Sequence, residues 1–207
     1  QYRCNDNSLL TPLFKQWIIS PLIRFVPWAI PANLITLISN LFVYLGLFLS
    51  LQPGWIGTFS PVVIAACLII YLIGDHLDGM QAKRTGTGSA LGEFCDHYLD
   101  AFNNGIIVFT MLTVFGIHQP ALTVSVIIVS YWAHMAVFYE QFKTGWLTFE
   151  KIGSLEGVLL SALLIGLSIF DPFRALMNYR VADVLSVAEV IIAGSTAGAF
   201  VTFIQTA

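Results

Sequence analysis

The sequence predicts an all-α integral membrane protein, with six transmembrane helices preceded by an N-terminal interfacial amphipathic helix. Two observations predict this class. Hydrophobic residues make up 57% of the 207 residues and charged residues only 10%, whereas soluble domains carry about 25% charged residues. Apolar runs close to the roughly 20 residues that a helix needs to cross a bilayer then recur along the chain.

The predicted spans follow one another closely. We place them at residues 34–51, 61–82, 93–117, 120–140, 155–171 and 184–205. Residues 1–30 precede them as an interfacial segment, because prolines interrupt its apolar run and Trp17 and Trp28 suit the headgroup level. Residues 31–207 form one six-helix membrane domain, since no internal repeat or low-complexity stretch divides them.

Basic residues near the span ends predict the orientation of the protein. With the N-terminus in the cytoplasm, the outside carries only Arg174 and Arg180. The inside then carries seven basic residues, Arg3, Lys15, Arg24, Lys83, Arg84, Lys143 and Lys151. Basic residues favour the cytoplasmic side, so we expect the N-terminus and the second interspan loop to be cytoplasmic. The basic residues are scattered, which argues against a nucleic-acid partner.

Acidic residues concentrate between the second and third spans. Five of the twelve lie there, Asp75, Asp78, Glu93, Asp96 and Asp100, although an ionised group costs about 2.5–3.5 kcal/mol at the centre of a membrane helix. Asp75 and Asp78 share one helix face, as do Asp96 and Asp100, and the short loop between the helices lets all four aspartates converge. Four oxygen-only side chains suit two Mg²⁺ ions, with Mn²⁺ as a substitute, that clamp a phosphoryl group.

Small and basic residues accompany the aspartates. Gly79 and Gly92 lack a side chain, which lets a ligand or another backbone approach closely. With Ala82, they could equally be helix-packing positions. Lys83 and Arg84 can meet phosphate oxygens, or they can serve as ordinary anchors on the cytoplasmic side.

Together these positions resemble the signature of the CDP-alcohol phosphotransferases, D-x2-D-G-x2-A-R-x8-G-x3-D-x3-D. Seven of its eight fixed positions match with every spacing kept, and Lys83 stands where the family has arginine. Lysine supplies the charge but not the planar two-toothed grip of a guanidinium. Asn33 and Thr36 resemble the family's P-N-x-I-T element, whose asparagine lies at the CDP site. The resemblance implies CDP contacts from Asn33, Asp78, Gly79, Ala82, Lys83, Arg84 and Gly92.

Three further segments resemble the choline/ethanolamine phosphotransferase branch of that family. Residues 81–85 are similar to its Q-A-R-R-T element, residues 91–97 to L-G-E-L-F-D-H, and residues 153–157 to G-P-T-E-G. The resemblance implies an enzyme of phospholipid biosynthesis that transfers phosphoethanolamine or phosphocholine from a CDP-alcohol donor to a lipid alcohol such as diacylglycerol, releasing CMP. It also implies the six-helix fold with its interfacial helix, contact with membrane lipids, and a homodimer.

The resemblance extends to the roles of the acidic residues. It implies one metal ion on Asp75, Asp78 and Asp96, and a second on Asp75, Asp96 and Asp100. The catalytic base that takes the proton of the lipid hydroxyl has two candidates. Asp100 is the choice typical of the family. His97, oriented by Glu93 one helical turn earlier, is the alternative that the branch favours.

Glu156, at the start of the fifth span, has two interpretations. It could recognise the positively charged head group, or it could cap the N-terminus of its helix.

Two rival functions remain open. One is a family member with another donor and acceptor, such as CDP-diacylglycerol with inositol phosphate, glycerol phosphate or serine. The other is a cation or proton transporter that uses the carboxylates as an ion path. Transporter sites usually lie near the bilayer midplane between broken helices, whereas this cluster is expected at one membrane face.

Overall fold

The computed structural model describes residues 3–149, 153–181 and 184–206. The side chains of residues 3–6, 90, 91, 93, 95, 96, 147–149 and 197–206 lie outside that description. The long helices are α1 (Ala32–Leu51), α2 (Ser60–Thr85), α3 (Ala90–Val114), α4 (Pro120–Thr144), α5 (Ser154–Leu167), α6 (Asp171–Asn178) and α7 (Val187–Thr206).

Each of the six predicted spans coincides with a helix. The differences lie at the ends: α3 stops three residues before the predicted boundary at 117, and α5 stops at Leu167 rather than at 171. Within the described part of the chain, three stretches are long and apolar enough to cross a membrane, Ala32–Leu51, Gly57–Thr85 and Pro120–Thr144. The pair α5 and α6, bent by 114° at their junction, makes a fourth if it counts as one span. The protein is therefore an all-helical membrane protein, and the six-span count stays a prediction.

A chain of short helical pieces precedes α1. The pieces are Thr11–Phe14, Lys15–Ile19, Ser20–Leu22 and Ile23–Phe25, of α, π, α and 3-10 type. We call residues 11–25 the N-terminal segment.

One face of the N-terminal segment docks on the bundle. Phe14 and Ile19 are buried against Leu72 of α2 and Leu155 of α5. The opposite face exposes large apolar side chains, such as Phe25, which is 82% exposed. The interfacial position predicted for this segment suits that two-sided pattern and stays a prediction.

Helix α2 is central to the packing. It lies against α1 and α5, while α3 packs against α1, α4 and α5, and α7 packs against α4 and α6. Buried residues from all seven of these helices form one apolar core, for example Val43, Leu68, Leu112, Ile165 and Ile192. Many large side chains on the outer faces of the helices remain exposed, as is expected where lipid rather than water surrounds the bundle.

Two short strand pairs add to the helices, and the sequence did not predict either. Arg3–Asp6 pairs in parallel with Trp146–Phe149, and Arg180–Val181 pairs antiparallel with Leu185–Ser186. The first pair brings the beginning of the described chain beside the connection between α4 and α5. Both pairs satisfy backbone groups at the ends of the bundle.

The loop between α2 and α3 is four residues long and has clear turn chemistry. Gly86, with φ of +68°, ends α2 in the left-handed region that favours glycine. Ser89 then caps α3, because its Oγ accepts a hydrogen bond from the Gly92 amide at 3.0 Å. The loop therefore fixes the relative positions of the two helices that carry the aspartates.

Close packing of α1 on α2 gives the first testable prediction. A Cβ added to Gly74 would clash with the side chain of Ser39, whereas one added to Gly194 of α7 would meet no described atom within 4 Å. We expect Gly74→Ala to cost about 1–3 kcal/mol of stability, as overpacking does, and to lower the unfolding temperature in detergent. Gly194→Ala is the matched control and should leave that temperature unchanged or slightly raised. Equal unfolding temperatures for the two variants would contradict the close contact.

Candidate active site

Three of the four predicted metal-binding aspartates come together in the structure. The Asp75 carboxylate interacts electrostatically with those of Asp78 and Asp100, and Asp100 also acts on Asp78. Asp78 is only 4% exposed. The side chain of Asp96 lies outside the described part of the chain. Helices α2 and α3 thus bring like charges into proximity in a poorly solvated place, an arrangement typical of a functional site.

Each of these three carboxylates has a polar neighbour. Thr36 of α1 donates a hydrogen bond from Oγ1 to Asp78 Oδ2 at 2.5 Å. Tyr71 of α2 donates its hydroxyl proton to Asp100 Oδ1 at 2.8 Å. The Asp75 carboxylate lies 3.4 Å from the Nδ1 of its neighbour His76. The hydroxyl donors Thr36 and Tyr71 are both buried, so they contact Asp78 and Asp100 from the interior of the bundle.

The predicted metal centre depends on a residue beyond this set. Among the described side chains, no group of three or more His, Cys, Asp or Glu residues has an arrangement that could hold a metal ion. The donors present nevertheless have the right chemistry, because facing carboxylate oxygens are the ligands that Mg²⁺ prefers. A divalent-cation site that includes these three aspartates and Asp96 stays a prediction.

Two of the predicted CDP-binding residues, Asn33 and Gly92, meet at the beginnings of α1 and α3. A Cβ added to Gly92 would lie 3.1 Å from Asn33 Oδ1 and 3.2 Å from Ser89 Oγ. The missing side chain of Gly92 thus lets α1 and α3 approach each other here.

The remaining small and basic candidates lie on a more open part of α2. A Cβ added to Gly79 would meet no described atom within 4 Å, so packing between the described helices does not require glycine there. Ala82 is half-buried, and Lys83 is exposed. Open space beside Gly79 leaves room for a ligand, in line with the first of the two interpretations of this residue.

Arg84, a further predicted CDP contact, instead holds the chain that precedes α1. Its guanidinium donates to the carbonyls of Ile23 at 2.6 Å and Val26 at 2.5 Å. It also lies over the ring of Trp28, 4.7 Å from the centroid, at a cation–π distance. The anchoring interpretation accounts for these contacts, and a contact between Arg84 and CDP stays a prediction.

Gln81 supports the same connection one helical turn earlier. Its side chain is fully buried, and Nε2 donates to the carbonyls of Pro27 at 3.0 Å and Ile30 at 2.7 Å. Gln81 and Arg84 therefore fasten the residues that lead into α1, where Asn33 lies. Sequence reasoning noted Gln81 as part of a motif but assigned it no role.

The predicted base His97 contacts α4. The centroid of its ring lies 4.9 Å from that of the Phe138 ring. The ring of His134 also lies beside Phe138, with the two centroids 5.0 Å apart. The side chain of Glu93, the predicted partner of His97, lies outside the described residues. His97 is thus at the boundary between α3 and α4, one turn before Asp100.

Glu156 caps its helix, as one of its two interpretations proposed. Oε2 accepts a hydrogen bond from the Gly153 amide at 2.9 Å, while Oε1 accepts from Ser8 Oγ at 2.5 Å and from the Leu10 amide at 3.0 Å. The carboxylate therefore joins α5 to the beginning of the N-terminal segment. A role in head-group recognition stays a prediction.

Buried amides below the aspartates were missed in the sequence. Asn103 of α3 donates from Nδ2 to Asn40 Oδ1 at 2.6 Å, and Asn40 of α1 donates to the Thr36 carbonyl at 2.7 Å. The signal that could have found them is plain: both are amides within apolar runs that otherwise read as membrane spans, where a polar side chain is costly.

The fold and the site together define an integral membrane protein with an acidic site formed by α1, α2 and α3. Residues 29–195 match the family model described as CDP-alcohol phosphatidyltransferase. That match covers most of the chain, and the chain belongs to this family of transferases.

Relatives within the family differ in what their names say they act on. Cholinephosphotransferase 1 of Saccharomyces cerevisiae is 29% identical over 86% of this chain and 46% of its own length. The CDP-diacylglycerol–serine O-phosphatidyltransferase of Encephalitozoon cuniculi is 28% identical over 75% of this chain and 42% of its own. Ethanolaminephosphotransferase 1 of Homo sapiens is 26% identical over 62% of this chain and 34% of its own. The chain spans less than half the length of these relatives.

The contacts of Arg84 generate the second prediction. Arg84→Ala removes two charge-assisted hydrogen bonds, each worth about 1.5–3 kcal/mol, from the residues before α1. We expect the amides of Val26 and Ile30 to exchange with deuterium at least about tenfold faster, since 1.4 kcal/mol corresponds to a factor of ten. Hydrogen exchange followed by mass spectrometry measures this directly. Lys83→Ala, which alters an exposed neighbour, is the control and should leave those rates unchanged. Weaker CDP binding in Arg84→Ala with unchanged exchange would favour a nucleotide contact instead.

Proposed function

We propose that this protein transfers a phospho-amino-alcohol, phosphoethanolamine or phosphocholine, from a CDP-alcohol to the hydroxyl of a lipid such as diacylglycerol, releasing CMP. The observation that carries the proposal is the meeting of Asp75, Asp78 and Asp100 between α2 and α3. Family membership supplies the reaction class. The motifs of the choline/ethanolamine branch and the names of two relatives support the amino-alcohol.

The aspartates would hold two divalent cations, with Asp96 as the fourth ligand. Mg²⁺ or Mn²⁺ held by these residues would supply positive charge to neutralise the pyrophosphate of the donor and to stabilise CMP as the leaving group. Thr36 and Tyr71 keep two of the carboxylates facing the site. This division of labour is consistent with phosphoryl transfer in general, where positioning and charge stabilisation supply most of the catalysis.

The nucleotide would lie along the open side of α2. Gly79 leaves space there, Lys83 is an exposed cation in the adjacent turn, and Asn33 beside Gly92 offers an amide. A lysine gives the phosphates a point charge rather than a bidentate grip. The donor would therefore be bound mainly by charge at Lys83 and by the space beside Gly79.

His97 is the base that we propose for the attacking lipid hydroxyl. Asp100 is already hydrogen-bonded to Tyr71 and lies next to Asp75, so it belongs with the cation-binding carboxylates, whose basicity a bound cation lowers. His97 lies one turn away and faces Phe138 of α4. An imidazole accepts a proton readily near neutral pH, and its apolar neighbour suits the approach of a lipid.

The same proposal includes the orientation. The excess of basic residues predicts that the N-terminus and the site face the cytoplasm, where a soluble CDP-alcohol would be supplied. The lipid acceptor would enter from the bilayer.

The donor is identified by CMP release. We expect the protein with Mg²⁺ in lipid micelles to release CMP from CDP-ethanolamine or CDP-choline, and only when diacylglycerol is present. Removing Mg²⁺ with a chelator should stop the reaction. Release from CDP-diacylglycerol, in line with the name of the Encephalitozoon relative, would keep the family and overturn the amino-alcohol. A protein that moves cations but ignores every CDP donor would support the transporter alternative.

The role of the aspartates is tested by an isosteric substitution of Asp78. Asp78→Asn removes a charge without changing size, so we expect transfer to fall below detection and Mg²⁺-dependent CDP binding to weaken. Asp171→Asn, at an exposed acid paired with Arg174 outside the site, is the matched control and should retain both. Full activity of Asp78→Asn would sink the two-metal mechanism.

His97→Ala separates catalysis from binding. As loss of a general base typically does, it should lower turnover by roughly 10²–10⁴ while CDP binding stays nearly intact. Turnover and CDP affinity measured on the same preparation check this. If Asp100→Ala rather than His97→Ala shows that pattern, the base is Asp100.

A further inference from the structure

A chain of buried polar groups runs from Asp78 into the interior of the bundle. Thr36 Oγ1 donates to the Asp78 carboxylate at 2.5 Å, and the Thr36 carbonyl accepts from Asn40 Nδ2 at 2.7 Å. Asn40 Oδ1 in turn accepts from Asn103 Nδ2 at 2.6 Å. These bonds pass from α2 to α1 and then to α3.

The chain returns to the acidic site at Asp100. The Asn103 side chain lies near the Tyr71 hydroxyl, and that hydroxyl donates to Asp100 Oδ1 at 2.8 Å. Residues of α1, α2 and α3 therefore link Asp78 to Asp100 through the interior of the bundle, in part through the Thr36 backbone carbonyl.

All members of this chain between the two aspartates are buried. Thr36 is 9% exposed, Tyr71 5%, Asn40 4% and Asn103 0%. Polar groups in such a place cost several kcal/mol unless they are paired, and apolar side chains would pack the bundle at lower risk. These buried polar side chains therefore serve a role that apolar side chains could not fill.

Repulsion between the aspartates indicates that this role is to fix the orientation of the carboxylates. Like-charged carboxylates at close range tend to turn away from one another, which would scatter the oxygens that a cation needs. A hydroxyl donor on one oxygen of Asp78 and another on one oxygen of Asp100 fixes the rotation of each group. The amide pair Asn40–Asn103 fixes α1 relative to α3, and hence one donor relative to the other.

We propose that Thr36 and Tyr71 are positioning residues that orient Asp78 and Asp100 for divalent cations before substrate arrives, and that the Asn40–Asn103 pair holds these two donors in register. This inference rests on the proposed two-metal function. It adds to that function the interior residues on which cation affinity depends.

Cation binding tests the proposal without relying on turnover. Mn²⁺ binding is measured by electron paramagnetic resonance on the purified full chain in detergent, in the presence of CDP. Loss of an outer hydrogen-bond partner typically weakens metal affinity 10–100-fold. We expect Thr36→Val and Tyr71→Phe each to weaken Mn²⁺ binding by about that factor, and Thr36→Ser, which keeps the hydroxyl, to restore affinity close to that of the unmodified protein.

Thr110→Val is the matched control. Thr110 is a fully buried threonine of α3 whose hydroxyl bonds only within its own helix in the described contacts, to the Ile106 carbonyl. It should bind Mn²⁺ like the unmodified protein.

The outcomes distinguish failure of the positioning role from failure of the proposed two-metal function. Unchanged Mn²⁺ affinity in both Thr36→Val and Tyr71→Phe, or an equal loss in Thr110→Val, overturns the positioning role while the proposed function stands. No Mn²⁺ binding by the unmodified protein overturns the two-metal function and the positioning role with it. Weakened binding in the two variants, rescued by Thr36→Ser, supports the proposal.

Discussion

Much of the structure depends on one constraint, the burial of neighbouring carboxylates in an apolar helical bundle. Asp75, Asp78 and Asp100 interact electrostatically, and an isolated charge in such surroundings is strongly disfavoured. Polar groups of α1 and α2 supply the compensation from the interior side. The helices must therefore pack closely enough for these groups to reach the acids, which the contact of Gly74 with Ser39 permits.

Helix α1 combines two roles that follow from this constraint. Along its buried side it places Thr36 and Asn40 below the acids, and at its first turn it places Asn33 against Gly92. Gln81 of α2 fixes the chain just ahead of that turn. The nucleotide side and the interior side of the proposed site are thus adjusted by the same helix, and a shift of α1 would disturb both.

The helices and the acidic cluster could be predicted from the sequence, because the length of apolar runs and the i,i+3 or i,i+4 spacing of the acids are local properties. It did not reveal the 114° turn between α5 and α6, since a short apolar helix and the first half of a span look alike. Nor could it assign Arg84, whose charge suits a phosphate as well as the carbonyls of Ile23 and Val26 that it meets. The sequence could not show the partners of Tyr71 and Asn103, because those partners lie on other helices.

The bend between α5 and α6 bears on whether a polar path could cross the helical bundle. Helix α5, with 14 residues, is about 21 Å long, shorter than the roughly 30 Å of bilayer hydrocarbon. Gly166 near its end lies against Ala65, close to the start of α2 and far from the acids. At that end Met177 of α6 packs with Met111 and Phe115 of α3. Apolar side chains therefore fill the end of the bundle away from the carboxylates, an arrangement that suits the proposed transferase better than an ion path.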